Sequence, residues 1–234
     1  MRKFLFIWIF SLAFSHGQEA GQGFLNIANL VPTKEKVTIT IMGKDLVPGG
    51  LSSIQSTGWF IVPSGSHSLS LACEGYKSAS GAISIEDNIS TLYVIYLEPN
   101  RKDTKDKDGK TLPPQIRIKR CPAIDIKKEH YLEVMSVCPD DETFQIGNKT
   151  MLLAPFTTQE IPGWRGGAFD VQYMKSEIGS CAGSQEKGSY FLLIGTDLSG
   201  KYSSLMVRNE KQELPPWMKE KKQPRKEDPT TTER

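Results

Sequence analysis

The stretch VTITIMGKDLV, residues 37–47, predicts the kind of fold this chain adopts. Val37, Ile39 and Ile41 alternate with threonines, and side chains two residues apart lie on the same face of a β-strand. The MGKD sequence that follows favours a tight turn, because glycine adopts positive φ without steric cost. The stretch therefore predicts a strand, a turn and a second strand.

The same pattern continues on both sides of this stretch. Apolar or alternating runs that resemble strands are FLNIANL, WFIVP, HSLSLAC, GAISI, STLYVIYLE, IRIKRC, YLEVMSV, TFQIGNKTMLLAPF, AFDVQYM, SYFLLIGTD and SSLMVRN. Short Gly, Pro, Asn and Asp sequences separate them, and no 3.6-residue periodicity competes with them. Such spacing is typical of an all-β sandwich or barrel. STLYVIYLE has no polar alternation, which predicts a strand buried on both faces.

Composition divides the chain into domains. Residues 99–114 and 211–234 are charged or turn-forming throughout and show no apolar period. Such stretches cannot bury enough apolar surface to form a core. We therefore predict two tandem antiparallel β-sandwich domains of immunoglobulin-like size, residues 24–98 and 115–210. A charged linker, 99–114, joins them, and a disordered polar tail, 211–234, follows.

The two predicted domains resemble each other. TITIMGKDLV in the first aligns with TFQIGNKTMLL in the second, SGSHSLSL with RGGAFDVQY, and STLYVIYLE with GSYFLLIGTD. The order of the three pairs is conserved. This pattern predicts that one β-domain occurs twice, although small β-domains in general share such features.

Residues 1–17, MRKFLFIWIFSLAFSHG, have the form of a secretory signal peptide: two cations, an apolar run and small residues for cleavage. The apolar run of 11 residues is shorter than the ~20 needed to span a bilayer, and no later run is longer. Removing Arg2 and Lys3 lowers the cations from 29 to 27, which equals the 27 acidic residues. The expected mature protein is secreted or periplasmic, does not span the membrane, and lacks the basic excess of a nucleic-acid-binding protein.

Four cysteines follow the signal segment: Cys73, Cys121, Cys138 and Cys181. Export permits disulfides, and four cysteines allow three full connectivities. If the halves fold separately, two of Cys121, Cys138 and Cys181 form a bridge and Cys73 is a buried free thiol. No C-x-x-C or Cys/His cluster indicates a metal site.

The sequence offers no catalytic set. Ser66 and His67 are adjacent, but successive strand residues point to opposite faces and cannot form a dyad easily. His130 and Glu133 would share a face on a helix, yet KKEHYLEVMSV resembles a strand, where an odd spacing separates them. No nucleophile-elbow, zincin or Walker motif occurs. We therefore predict a protein without catalytic residues, metal or cofactor.

Aromatic residues beside Gly or Pro are the remaining functional signal. Trp164 lies in IPGWRGG next to Arg165, and a Trp beside an Arg can stack on a sugar or anchor a partner. Trp164 could instead close the end of the sandwich. Trp217 follows two prolines in the tail, where an extended segment could present it for docking, unless the tail is plain disordered chain.

The motifs NIANL, TIMGKDLV and VPSGSHSLSL resemble a family of bacterial exported β-sandwich domains of unknown function. The tandem arrangement after a signal peptide is more distantly similar to the periplasmic accessory proteins of alginate O-acetylation, which have two such domains and no catalytic residues. The likeness covers most of residues 24–98 and is weaker over 115–209. The charged linker, the cysteines and the tail depart from the pattern.

These observations favour an exported, non-catalytic binding or assembly module. The resemblance implies an accessory role in cell-envelope or exopolysaccharide modification, with an unknown envelope protein or polysaccharide as partner. The alternative is a surface adhesion or carbohydrate-binding protein that uses Trp164. A hydrolase is the third candidate.

Overall fold

A computed structural model describes residues 21–98, 108–110, 114–121, 129–181, 183–184, 186–197 and 199–208. The predicted signal peptide, the polar tail and most of the charged linker lie outside these residues. Every regular element described is a β-strand. In chain order the strands are β1 (Gln22–Asn29), β2 (Thr38–Ile41), β3 (Lys44–Asp45), β4 (Gln55–Ser56), β5 (Phe60–Pro63), β6 (Gly65–Ala72), β7 (Ala79–Ile85), β8 (Ser90–Glu98), β9 (Gln115–Arg120), β10 (Tyr131–Ser136), β11 (Glu142–Ile146), β12 (Lys149–Leu153), β13 (Thr158–Glu160), β14 (Phe169–Tyr173), β15 (Ser176–Cys181), β16 (Ser189–Thr196) and β17 (Tyr202–Arg208).

The strands form four sheets. Sheet 1 has the order β3-β2-β6-β7, and sheet 2 has the order β4-β1-β8-β9 with β5 also on β1. Sheet 3 has the order β13-β10-β16-β17, and sheet 4 has the order β12-β11-β14-β15. The predicted all-β sandwich class is therefore confirmed. No helix in the described part of the chain is long and apolar enough to cross a membrane.

Three apolar cores show how the sheets stack. The first core lies between sheets 1 and 2 and includes Ile39, Leu71 and Ile95. The third lies between sheets 3 and 4 and includes Phe144, Val171 and Ile194. The second core joins the two sandwiches, because it combines residues of sheet 2 with residues of sheet 3: Ala28, Leu30, Trp59, Leu92, Val94, Cys121, Met135, Phe191, Leu193 and Val207. The four sheets are thus stacked in numerical order.

The two central strands of this stack are buried on both faces. Strand β8 contributes Ile95 to the first core and Val94 to the second, and β16 contributes Ile194 to the third core and Leu193 to the second. Continuous apolar sequence is what such a position requires, since both faces exclude water. The prediction that STLYVIYLE forms a doubly buried strand is confirmed.

The second sandwich repeats the strand order of the first, except that β5 has no counterpart among the described strands. The aligned sequences occupy equivalent places: β2–β3 corresponds to β11–β12, β6 to β14 and β8 to β16. Details outside the strands repeat as well. Ile54 donates its N–H to the Asn29 carbonyl and Phe156 donates to the Ser136 carbonyl, each over 2.8 Å. Both donors have positive φ, 57° and 58°, which is rare for such side chains. The predicted internal repeat is confirmed.

The structure differs from the sequence-based description in two respects. Strand β9 was predicted to open the second domain at residue 115, but it pairs antiparallel with β8, from Glu98↔Gln115 to Tyr93↔Arg120, and completes sheet 2. The sandwiches are also not purely antiparallel. Strands β1 and β8 pair in parallel, as do β10 and β16. Parallel pairing requires a long connection between the two strands, and the intervening strands of each sandwich form that connection.

Candidate functional site

The candidate site lies at the place where the second sandwich differs from the first. In the first sandwich, β5 continues along β1 and leads directly into β6. In the second, β13 ends at Glu160, and residues 161–168, IPGWRGGA, leave the sheet as a loop, which we call the Trp164 loop. Pro162 has no N–H for a ladder, and Gly163 turns the chain with a φ of 76°.

Trp164 is half-buried and held by three other rings. The rings of His130, Phe169 and Tyr190 contact it edge to face, with centroid distances of 5.5, 6.3 and 5.0 Å. The indole N–H donates to the Gly167 carbonyl over 2.9 Å. These contacts close the end of the third core, as one of the two predicted roles requires, and they fix the orientation of the ring.

Trp164 also lines a cleft of about 360 Å³. The cleft lies between the Trp164 loop and the turn that joins β11 to β12. Its lining residues are Ile146, Gly147, Asn148, Lys149, Ile161, Pro162, Gly163, Trp164, Arg165, Gly167, Ala168 and Phe169. Apolar side chains, two cations and one amide line it together, and no carboxylate is among these residues. An apolar cleft with a few polar groups is the usual form of a small-ligand site.

Lys149 and Arg165 supply the two positive charges. Lys149 follows the turn at Gly147, whose φ is 57°, and its ammonium donates to the Pro162 carbonyl of the facing loop. Arg165 is exposed and forms no ion pair or hydrogen bond with any residue that the structure describes. Arg165 was predicted, together with Trp164, to be a binding residue, and both residues line this cleft.

The Trp164 loop is fixed from behind by tight backbone packing. Gly166 has a φ of 81°, and a side chain there would overlap the Ser184 carbonyl and the His130 ring. The Ser184 N–H donates to the Gly166 carbonyl over 2.8 Å, and His130 Nε2 donates to the Ser184 carbonyl over 3.0 Å. His130 therefore positions this loop.

The second histidine is similarly engaged with backbone. His67 is buried in β6, and its Nε2 donates to the Pro63 carbonyl over 2.6 Å. Ser66, its neighbour in sequence, is exposed on the other face of sheet 1. In the part of the chain that the structure describes, no three His, Cys, Asp or Glu side chains form a metal-ligating group.

The four cysteines are buried and free, so the predicted disulfide between two of Cys121, Cys138 and Cys181 is not found. Cys121 packs in the core between the sandwiches, whereas Cys181 packs in the third core. Cys138 follows Ser136, whose hydroxyl accepts its N–H over 3.2 Å. Separation across sheet 3 explains why Cys121 and Cys181 do not pair, and sequence spacing carries no information on this.

Burial changes the chemistry of these thiols. It raises the pKa of Cys121 to about 12 and that of Cys181 to about 11, with smaller contributions from the charges of Glu133 and Asp170. It also raises the pKa of Cys73 and Cys138. A thiol with a raised pKa is a poor nucleophile at neutral pH, so these cysteines are suited to packing.

Two contributions to the site were missed by sequence reasoning. Asn148 lies in the turn that aligns with MGKD, and Lys149 follows it as the first residue of β12. The MGKD sequence was interpreted only as a turn, although Lys44, which aligns with Lys149, was a signal that a cation recurs there. Trp217, the third predicted binding residue, lies outside the described residues.

Among known proteins, no family model and no curated sequence matches this chain.

Proposed function

We propose that this protein is an exported, non-catalytic binding module and that its site is the Trp164 cleft, with a saccharide as the ligand. An accessory role in cell-envelope or exopolysaccharide modification, which the family resemblance implies, is the setting in which such a module would act. The observation that supports the proposal most directly is a tryptophan held by three rings in a cleft, beside an arginine that pairs with none of the described residues.

Rigidity of the tryptophan favours binding. Sugar rings stack on aromatic faces, and a side chain that is already ordered loses little entropy when the ligand arrives. Trp164 meets this condition because His130, Phe169 and Tyr190 fix its ring. The polar groups of Asn148 and Arg165 can then orient the hydroxyls of the sugar.

The non-catalytic part of the proposal rests on what the candidate catalytic groups do. His67 and His130 both donate to backbone carbonyls, and the thiols have raised pKa values. These groups serve packing and loop positioning. Hydrolysis of ester or glycoside substrates by the purified protein, lost on changing either histidine, would contradict this part of the proposal.

Saccharide binding is tested by screening the purified chain against an oligosaccharide array and measuring the affinity of each ligand found. We expect Trp164→Leu, which retains apolar packing but removes the flat ring, to lower affinity at least tenfold. The control is Lys44→Ala, at the equivalent turn of the first sandwich, and it should bind as the parent does. Unchanged binding by Trp164→Leu would exclude the cleft as the site.

An assembly role is the second candidate, and one surface supports it. Leu152 and Met174, on the outer side of sheet 4, are 59% and 78% exposed. Leu152 pairs directly with Thr143, and Thr143 and Met174 line one shallow cleft. Pull-down from the envelope fraction of the native host, compared with a Leu152→Lys, Met174→Lys double variant, tests this role. A partner lost only with the double variant supports assembly.

A further inference from the structure

We infer that the Trp164 cleft selects an anionic saccharide, a sugar whose ring contacts Trp164 and whose charged substituent is bound by Arg165 and Lys149. This inference rests on the proposed function and adds the chemical class of the ligand. It comes from the charges that line the cleft.

The lining of the cleft is positive. Lys149 stands on one wall and Arg165 on the other, and no aspartate or glutamate lines the cleft between them. The chain as a whole carries nearly equal numbers of cations and acids, 29 and 27, so a local excess of two cations is not a reflection of overall composition. A cleft of one charge sign concentrates ligands of the opposite sign.

Arg165 differs from the other arginines that the structure describes. Arg117 pairs with Glu98 over 2.8 Å, Arg120 pairs with Glu86 over 2.6 Å, and Arg208 pairs with Glu186. Arg165 has no carboxylate partner in the described part of the chain. Its guanidinium carries five donors in a planar fork that matches a carboxylate or sulfate group.

Lys149 is available to the same ligand. An ammonium has three N–H donors, and the Pro162 carbonyl accepts only one of them. That bond also joins the β11–β12 turn to the Trp164 loop, three residues before Arg165. The hairpin that carries Lys149 and the loop that carries Arg165 are therefore joined directly, which keeps the two cations at one cleft.

The first sandwich provides an internal comparison. Its equivalent turn retains a lysine, Lys44, but the equivalent of the Trp164 loop is the strand β5 and the short link to β6. A tryptophan, Trp59, directly precedes β5, but it is buried in the core between the sandwiches, and no arginine occurs in β5 or in the link. The first sandwich thus forms without an arginine here and with its tryptophan in a core, so Arg165 and the placement of Trp164 in a cleft are particular to the second sandwich.

The test uses matched oligosaccharides on the full chain, measured by titration calorimetry. Trisaccharides of galactose, glucose and mannose are compared with the corresponding uronates, and with sulfated forms, so that carboxylate and sulfate are distinguished. We expect at least one anionic form to bind tenfold or more tightly than its neutral match at low salt. The preference should shrink as salt rises, because Arg165 is exposed and Lys149 is only half-buried.

Four variants test whether the preference for anionic over neutral oligosaccharides arises from the cleft. Arg165→Ala should abolish the preference for the anionic form, because it should weaken binding of the anionic form much more than binding of the neutral form. Lys149→Ala should reduce the preference. Trp164→Leu should weaken both forms, while Lys44→Ala should weaken neither. Polyglutamate, an anion without sugar rings, should not compete.

The outcomes separate the inference from the proposed function. Equal binding of neutral and anionic forms, still lost with Trp164→Leu, would overturn the inference and retain the saccharide site. Competition by polyglutamate would also overturn it, because charge alone would then suffice. Absence of binding to every oligosaccharide would overturn both.

Discussion

Two adjacent residues adopt backbone angles that suit neither of them. Met174 and Lys175 form the two-residue turn between β14 and β15, with φ values of 47° and 66°. Positive φ at both positions is the geometry of a type I′ turn, for which Asn-Gly is preferred. Each L-residue in the left-handed region costs about 1–2 kcal/mol.

Replacing this turn should therefore stabilise the protein. We expect Met174→Asn with Lys175→Gly to raise the free energy of unfolding by about 1–2 kcal/mol, since Met174 is 78% exposed and contributes no core packing. Chemical denaturation measures the change. As a control, Ser68→Gly in the exposed face of β6 should destabilise by about 0.5–1 kcal/mol. A loss of stability in the Asn-Gly variant would show that Met174 has a packing role.

The buried thiols predict how stability depends on alkaline pH. An unfolded cysteine titrates near a pKa of about 8.5, whereas burial raises the pKa of folded Cys121 to about 12. Above the unfolded pKa, the unfolded state loses its proton while the folded state retains it, so stability falls as pH rises. Below that pKa both states are protonated and this contribution is fully present.

Denaturation between pH 8 and 10.5 tests this linkage. The free energy of unfolding should decrease with pH, and Cys121→Ala should reduce the slope by up to about 1.4 kcal/mol per pH unit. Cys73→Ala serves as the control: burial raises the Cys73 pKa as well, but the hydrogen bond with Thr33 opposes that rise, so its effect on the slope should be smaller. Identical slopes in parent and Cys121→Ala would contradict the burial argument.

At the scale of elements, the Trp164 loop depends on one glycine. Gly166 and Gly163 have similar φ values, 81° and 76°, but only Gly166 faces backbone where a side chain would stand. Gly163→Ala should cost about 1 kcal/mol through its backbone angle. Gly166→Ala should cost about 3 kcal/mol, because the overlap with Ser184 and His130 is added.

Ligand binding separates the two variants further. Gly166→Ala displaces the loop that carries Trp164 and Arg165, so it should abolish saccharide binding, whereas Gly163→Ala should retain it. Thermal unfolding and calorimetry on the same preparations provide both readouts. Comparable loss of binding in both variants would indicate that the backbone angle, and not the packing behind the loop, sets the cleft.

Elements were largely predictable from sequence, and their partners were not. Alternation in VTITI and the continuous run STLYVIYLE predicted strands correctly because side-chain period reflects burial. IRIKRC was likewise recognised as a strand, but its sequence does not say which sheet it joins, so β9 was assigned to the second sandwich. The cleft shows the same limit: Trp164 and Arg165 are adjacent in sequence, while Lys149 reaches them only through the fold.

At the scale of the whole molecule, the two sandwiches share a core. Sheets 2 and 3 pack their apolar faces together, and the Trp59 indole N–H of the first sandwich donates to the Arg208 carbonyl of the second over 2.7 Å. Tyr96 and Phe156 add a ring contact of 4.6 Å across the same boundary. Two domains that are merely joined by a polar linker would not need such a core. Sequence alone could not reveal the shared core. Along β8 and β16, residues of the shared core alternate with residues of the inner cores, so every one of these positions is apolar.

This shared core predicts how the protein behaves when its linker is cut. A specific protease site placed within residues 101–107 severs the chain between β8 and β9. Both fragments should remain together on gel filtration, because β9 stays paired with β8 and the second core stays buried. Denaturant should separate them, in a single transition with the unfolding of both sandwiches. A Trp59→Phe variant, which leaves the Arg208 carbonyl without its donor, should dissociate at a lower denaturant concentration. Separation of the parent fragments in native buffer would instead show that the sandwiches are independent bodies.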